Sequence, residues 1–188
     1  MKAKIGIIAL SVLISLSLSA QEPLSVGEKV PYFKATADDG SVWDLSDHIG
    51  NHNIVVYFYP AAMTGGCTAQ ACAYRDHQED LASEDAIVVG ISGDKVESLR
   101  LFKEAENLNF PLLSDESGAI AESFGVPVGQ GGSITRTVGG LEHLLIRDVS
   151  IRRWTFVVGK DGTIIYKNDS VNPGQDSQEI LSFLRAQD

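Results

Sequence analysis

Cysteine is scarce in this chain. There are two in 188 residues, Cys67 and Cys72, so at most one disulfide can form within it. A C-x-x-C dithiol motif is missing, and so is the glycine spacing of a nucleotide-binding fingerprint. No cluster of Lys or Arg occurs, and the formal net charge is −10, which argues against nucleic acid or an anionic membrane surface as partner. Histidines are few (His48, His52, His77 and His143), and none is placed to suggest a Cys–His pair. Cys67, Cys72 and His77 recur every five residues but lack a fourth ligand, so no metal site is expected. No internal repeat or second domain is visible. With 44% hydrophobic and 21% charged residues, the chain has material for a core and is not a disordered segment.

The first twenty residues differ from the rest. Lys2 and Lys4 precede an apolar stretch, Ile5 to Leu16, and the small residues Ser17-Leu18-Ser19-Ala20 follow. A stretch of about twelve apolar residues is short for a bilayer span and has the pattern of a secretory signal peptide. We therefore expect residues 1–20 to be a signal peptide, cleaved after Ser19 or Ala20, and 21–188 to be the folded domain. Export, periplasmic in a Gram-negative cell, follows from that expectation. Loss of the two lysines takes the charge from −10 to −12.

Along the rest of the chain, Val30 to Thr36 and Ser41 to Leu45 flank Asp38-Asp39-Gly40, an N-terminal β-hairpin pattern. Ile54 to Tyr59 and Ala86 to Ser92 are continuously apolar, as strands covered on both faces are. The helical stretch Thr68 to Ser83 between them completes a parallel βαβ unit. Lys95 to Asn107 has a helical apolar face, and Phe110 to Leu113 is a short strand that Pro111 assigns to a sheet edge. Gly129 to Gly140, with five glycines, is expected to be an exposed, mobile loop, and Leu141 to Ile151 is either a strand or cover for the core. Trp154 to Val158 and Thr163 to Lys167 form an antiparallel hairpin. Asp176 with Glu179 makes a capping box for a final helix burying Ile180, Leu181 and Leu184. The fold class is α/β, thioredoxin-like, with a central mixed sheet flanked by helices and an N-terminal β-hairpin extension.

The most informative stretch is Tyr57-Phe58-Tyr59-Pro60-Ala61-Ala62-Met63-Thr64-Gly65-Gly66-Cys67. A strand breaks at Pro60 and restarts as a helix with a thiol in its first turn. Helix N-terminal N–H groups, a hydroxyl at Thr64 that caps the helix or bonds the sulfur, and a cation from elsewhere are what favours a thiolate there. Gly65 and Gly66 permit close approach of backbone N–H groups to a bound oxygen. Cys72 has two readings at this point. One is half of a structural disulfide, usual in an exported protein. The other is a redox partner, since residues i and i+5 of a regular helix have Cα atoms about 8–9 Å apart and a disulfide needs about 7 Å or less.

The run Pro60-x-x-x-Thr64-x-x-Cys67 after Tyr57-Phe58-Tyr59, with Cys72 five residues on, resembles the active-site signature of peroxiredoxins, specifically the bacterioferritin-comigratory (PrxQ-type) branch of the AhpC/TSA family. Val26 to Pro31, Phe110 to Asp115, Gly125-Val126-Pro127 and Arg153-Trp154-Thr155-Phe156 are similar to further family segments. The resemblance implies a thiol peroxidase acting on hydrogen peroxide or organic hydroperoxides without a cofactor. Cys67 would become a sulfenic acid and Cys72 would resolve it to a redox-active disulfide, which a thioredoxin-like dithiol would reduce. Thr64, Gly66 and Arg153 would bind the peroxide, and Pro60 would shield the sulfur. Strand alternation and the Arg-x-Thr-Phe match favour Arg153 over Arg152 as the cation. A monomer or weak dimer is expected. The alternatives are an exported thioredoxin-like protein disulfide oxidoreductase, or a binding module with a structural disulfide. Gly65 stands where the family usually has Pro, Tyr32 replaces a usual Asp, and the 129–140 stretch is longer than the family norm.

Overall fold

A computed structural model describes residues 22–187. The expected signal peptide lies outside the described residues. Strands β1 (Lys34–Ala37) and β2 (Val42–Asp44) form the N-terminal hairpin. β3 (Asn53–Phe58) runs into helices α1 (Gly65–Asp76) and α2 (Gln78–Ser83), then β4 (Ala86–Ser92). α3 (Val96–Glu106), β5 (Leu112–Ser114) and α4 (Ala119–Ser123) follow. β6 (Val128–Val138) and β7 (Leu141–Ile151) precede β8 (Trp154–Val158), β9 (Ile164–Asn168) and α5 (Asp176–Arg185). Among the described residues no helix is long and apolar enough to cross a membrane.

The main sheet has the order β2-β1-β5-β4-β3-β8-β9. β3 and β4 are parallel, and β3 and β8 antiparallel, so the sheet is mixed as expected. β3 lies inside it and buries both faces, which is why its sequence shows no polar alternation. Val55, Tyr57 and Tyr59 face one core with α1, α3 and α5. Ile54, Val56 and Phe58 face the other, with Phe124 and Trp43.

Three expectations need correction. The 68–83 helix begins at Gly65 and breaks at His77 into two. β5 is not an edge strand, because β1 pairs on its outer side. Pro111 precedes β5, so no ladder N–H is lost there, and its carbonyl accepts from Gly90 N at 3.1 Å. The glycine-rich stretch is not a loop, since β6 and β7 pair in register from Val128↔Ile151 to Val138↔Leu141. Gly139 and Gly140, at φ 59° and 83°, make the two-residue turn. The arm lies on the body of the protein. Lys95 N donates to Ile146 O (3.0 Å), Ile146 N to Ser98 Oγ (3.0 Å), and Leu145 is buried in the α1-side core.

Under α1 the rings of Tyr57 and Tyr74 stack at 4.9 Å, and those of Tyr57 and Tyr59 at 5.5 Å. Gly90 on β4 makes room for this stack, because a Cβ there would stand 2.6 Å from the tip of the Tyr57 ring. Gly90→Ala is expected to destabilise the fold by about 1–3 kcal/mol through overpacking, read as a lowered urea midpoint.

Candidate active site

β3 delivers the chain to the sheet's edge, where Pro60 ends the ladder. The loop that follows is held from two directions. Ala62 N donates to Asp94 Oδ2 at 2.8 Å, and Ser92 Oγ supports the same oxygen at 2.8 Å. Burial pushes the Asp94 carboxyl above its ordinary value, against these two bonds. Met63 sits in the left-handed region, φ 56°, with its carbonyl accepting from Arg136 Nε at 2.8 Å. The β6–β7 arm therefore touches the loop directly. Thr64 occupies the N-cap position of α1 in an extended conformation. Its hydroxyl does not cap the helix, however, but donates back to Ala61 O at 2.9 Å.

The first bond of α1 runs from Thr68 N to Thr64 O at 2.8 Å. The amides of residues 65–67 precede it and have no acceptor within the helix. Cys67 lies in this turn, 2% exposed. Arg153 Nη2 is 3.2 Å from its sulfur. Gly66 leaves the space this requires, since a Cβ there would lie 3.3 Å from the same nitrogen. Arg153 is thus the cation at the thiol, as the Arg-x-Thr-Phe match indicated. Strand alternation does not decide between the two arginines, because Arg152 and Arg153 fall between β7 and β8 rather than within a strand. Arg152 is exposed and lines a cleft of about 630 Å³ with Pro60, Pro127, Ile151, Arg153 and Val171. That cleft leads from solvent to the guanidinium beside Cys67.

Residues outside the Pro60–Cys67 run complete the arrangement. Arg153 Nη1 donates to Gln70 Oε1. Gln70 Nε2 donates to Asp176 Oδ2 at 2.7 Å, and Tyr74 OH and Thr155 Oγ1 donate to that same oxygen, each at 2.7 Å. Asp176 is the first residue of α5, and its carboxylate turns into the core instead of capping its own helix. Burial pushes its carboxyl above the ordinary value, against the bonds from Tyr74, Thr155 and Gln70. Gln70 and Tyr74 follow Cys67 at i+3 and i+7, one helix face. Polar residues on the buried face of an otherwise small-residue helix were the signal available.

Both cysteines are free thiols on a continuous α1. Cys72 is half-buried and turned toward α3, its thiol donating to Glu106 Oε2 at 3.6 Å. Burial pushes this thiol above its ordinary value, with Arg75 opposing and Glu106 adding to the shift. The i,i+5 separation means that the two sulfurs meet only if α1 opens. Gly65 is suited to ease that opening. It is the first helical residue, a Cβ there meets nothing within 4 Å, and Thr64 before it is extended at φ −102°, ψ 149°. These conditions admit proline. Gly65→Pro is expected to stabilise the closed helix by about 0.4–1 kcal/mol, seen as slower amide exchange confined to α1.

Residues 26–167 match the AhpC/TSA family. The chain is 38% identical over 163 residues to peroxiredoxin Bcp of Escherichia coli K12, covering 87% of this chain and 97% of that one. It is 36% identical over 162 residues to peroxiredoxin Bcp of Bacillus subtilis, covering 86% and 96%. Among solved structures it resembles peroxidoxin BcpB of Mycobacterium tuberculosis, with TM-score 0.71 and 33% identity over 86% of this chain and 96% of that one. It also resembles a Xanthomonas campestris bacterioferritin comigratory protein described by its alkyl peroxide reduction activity, with TM-score 0.68 and 25% identity over 82% and 91%.

Proposed function

The chain belongs to the AhpC/TSA family and is a thiol peroxidase of the peroxiredoxin kind, and from that premise we propose that Cys67 attacks the peroxide and Cys72 resolves the product. The observation that carries this reading is the Arg153 guanidinium 3.2 Å from the Cys67 sulfur, at the inner end of a cleft open to solvent. Peroxide enters past Pro60. The sulfur attacks the nearer peroxide oxygen, an S–O bond forms and the O–O bond breaks. Negative charge passes from sulfur to the departing oxygen, which takes a proton and leaves as water or an alcohol. Arg153 faces both ends of that charge movement, and the free amides of the first helical turn supply further donors, as in an oxyanion hole. Small alkyl hydroperoxides are included among the substrates, by analogy with the Xanthomonas relative.

α1 then opens. The Cys72 thiol, freed of its proton, attacks the sulfenic sulfur, an S–S bond forms, and water leaves. A thioredoxin-like dithiol reduces the disulfide by exchange, and α1 recloses. With an export signal, that reductant belongs to the compartment outside the cytosol. A dithiol oxidoreductase acting on proteins is the weaker reading, because its two thiols need positions from which they pair without unwinding a helix.

Peroxide consumption with a dithiol reductant tests the assignment. Cys67→Ser is expected to abolish turnover, and full activity in that variant would sink the reading. Cys72→Ser is expected to leave a persistent sulfenic acid, trapped by dimedone and visible in intact mass. Arg153→Ala is expected to lower the peroxide step by roughly 10²-fold or more, whereas Arg152→Ala leaves the sulfur's partner in place. Export is tested separately. Expression of the full chain in a Gram-negative host is expected to yield a periplasmic protein beginning at Ala20 or Gln21, and recovery of an unprocessed cytosolic chain would exclude it.

A further inference from the structure

We propose that Asp176 is a positioning residue that sets the balance between the two halves of the cycle, holding Arg153 for the peroxide step and restraining α1 from the opening that disulfide formation needs. This rests on the roles given above to Cys67 and Cys72. Asp176 is wholly buried at the start of α5, and one of its oxygens, Oδ2, gathers Gln70 and Tyr74 from α1 and Thr155 from β8, each at 2.7 Å. Its other oxygen, Oδ1, has no hydrogen-bond partner among the described residues. A buried carboxylate is a poor device for stability alone, since its desolvation offsets much of what its bonds contribute.

The first output of this hub is orientation. A carboxylate only accepts hydrogen bonds and a guanidinium only donates them. Gln70 lies between the two, so its amide has one workable orientation, with Nε2 on Asp176 and Oε1 on Arg153. The guanidinium is held in turn with Nη2 at the Cys67 sulfur. Asp176 thus acts on the reacting sulfur through two intermediaries, as an outer partner orients a ligand at a metal.

The second output is restraint. Gln70 lies between the two cysteines and Tyr74 lies just beyond the second. Unwinding the stretch from Cys67 to Cys72 carries Gln70 away from Asp176 and strains the Tyr74 bond. The contacts that prepare the peroxide step are therefore contacts that disulfide formation breaks. A purely structural role predicts that weakening the hub harms both steps. The coupling predicts effects of opposite sign.

Two variants test this in rapid-mixing experiments, with sulfenic acid formation followed in a Cys72→Ser background and disulfide formation in the dithiol protein. Asp176→Asn conserves volume and replaces a charged group that only accepts with a neutral amide, a weaker acceptor that also carries a donor. It is expected to slow sulfenic acid formation about tenfold and speed disulfide formation about fivefold. Tyr74→Phe keeps the Asp176–Gln70–Arg153 line and removes one tie of α1 to the hub. It is expected to speed disulfide formation about fivefold and to slow sulfenic acid formation less than Asp176→Asn does. Parallel slowing of both steps, or no change in either, in variants whose Cys67 still forms the sulfenic acid overturns the coupling and leaves the role of Cys67 standing. Peroxide consumption by Cys67→Ser would overturn both.

Discussion

A guanidinium 3.2 Å from a buried sulfur is the contact on which the rest of the structure depends. Negative charge on a thiol that is 2% exposed needs a partner already in place, because water cannot supply one there. Arg153 reaches the site from a short connection between β7 and β8, and the β3–β8 pairing fixes where that connection lies. Gly66 removes the side chain that would stand against the guanidinium, and Gln70 holds its far edge. Beneath them the Tyr57–Tyr74 stack and the missing side chain at Gly90 determine how closely α1 settles on the sheet.

The same closeness creates a conflict. Cys72 shares α1 with Cys67 but is turned to Glu106 on α3, with burial pushing its thiol above the ordinary value. A helix that is well formed for the first reaction is wrongly formed for the second. The loop ahead of α1 is tightly held by Asp94 at Ala62 and by Arg136 at Met63. In the proposed cycle these bonds hold the catalytic loop while α1 opens. Gly65, with open space where a side chain would go, stands at the boundary between the held loop and the part that moves.

Much of this is legible in the sequence itself. β3 and β4 announce themselves as apolar runs because an interior strand has no face to leave polar, and Ala86–Ser92 matches the structure residue for residue. Cys67 stands out because a strand, a proline and small residues leave it at a helix start. What stayed hidden was polar and distant. Asp176 and Glu179 have the spacing of a capping box, and a helix does begin there, but the Asp176 carboxylate serves another element altogether. No local pattern separates a carboxylate that caps from one that turns inward, since the difference lies in what packs above it. The β6–β7 arm was obscured by its glycines, which read as mobility although Gly139-Gly140 is the turn of a long paired hairpin. Thr64 sits at the right position with its hydroxyl spent on Ala61, a choice set by the neighbouring left-handed Met63.

The network at Cys67 also fixes an order of assembly. Its bonds join residues 86 positions apart for Arg153 and Cys67, 106 for Gln70 and Asp176, and 102 for Tyr74 and Asp176. Contacts of such long sequence separation form late, after the loop they close has been brought together. Both thiols lie in the first half of the chain, whereas Arg153 and Asp176 lie in the second. A chain that stops short of Asp176 contains its full complement of sulfur and an unfinished pocket. In the proposed cycle, reactivity toward peroxide therefore waits on contacts that Arg153 and Asp176 bring from the far part of the chain.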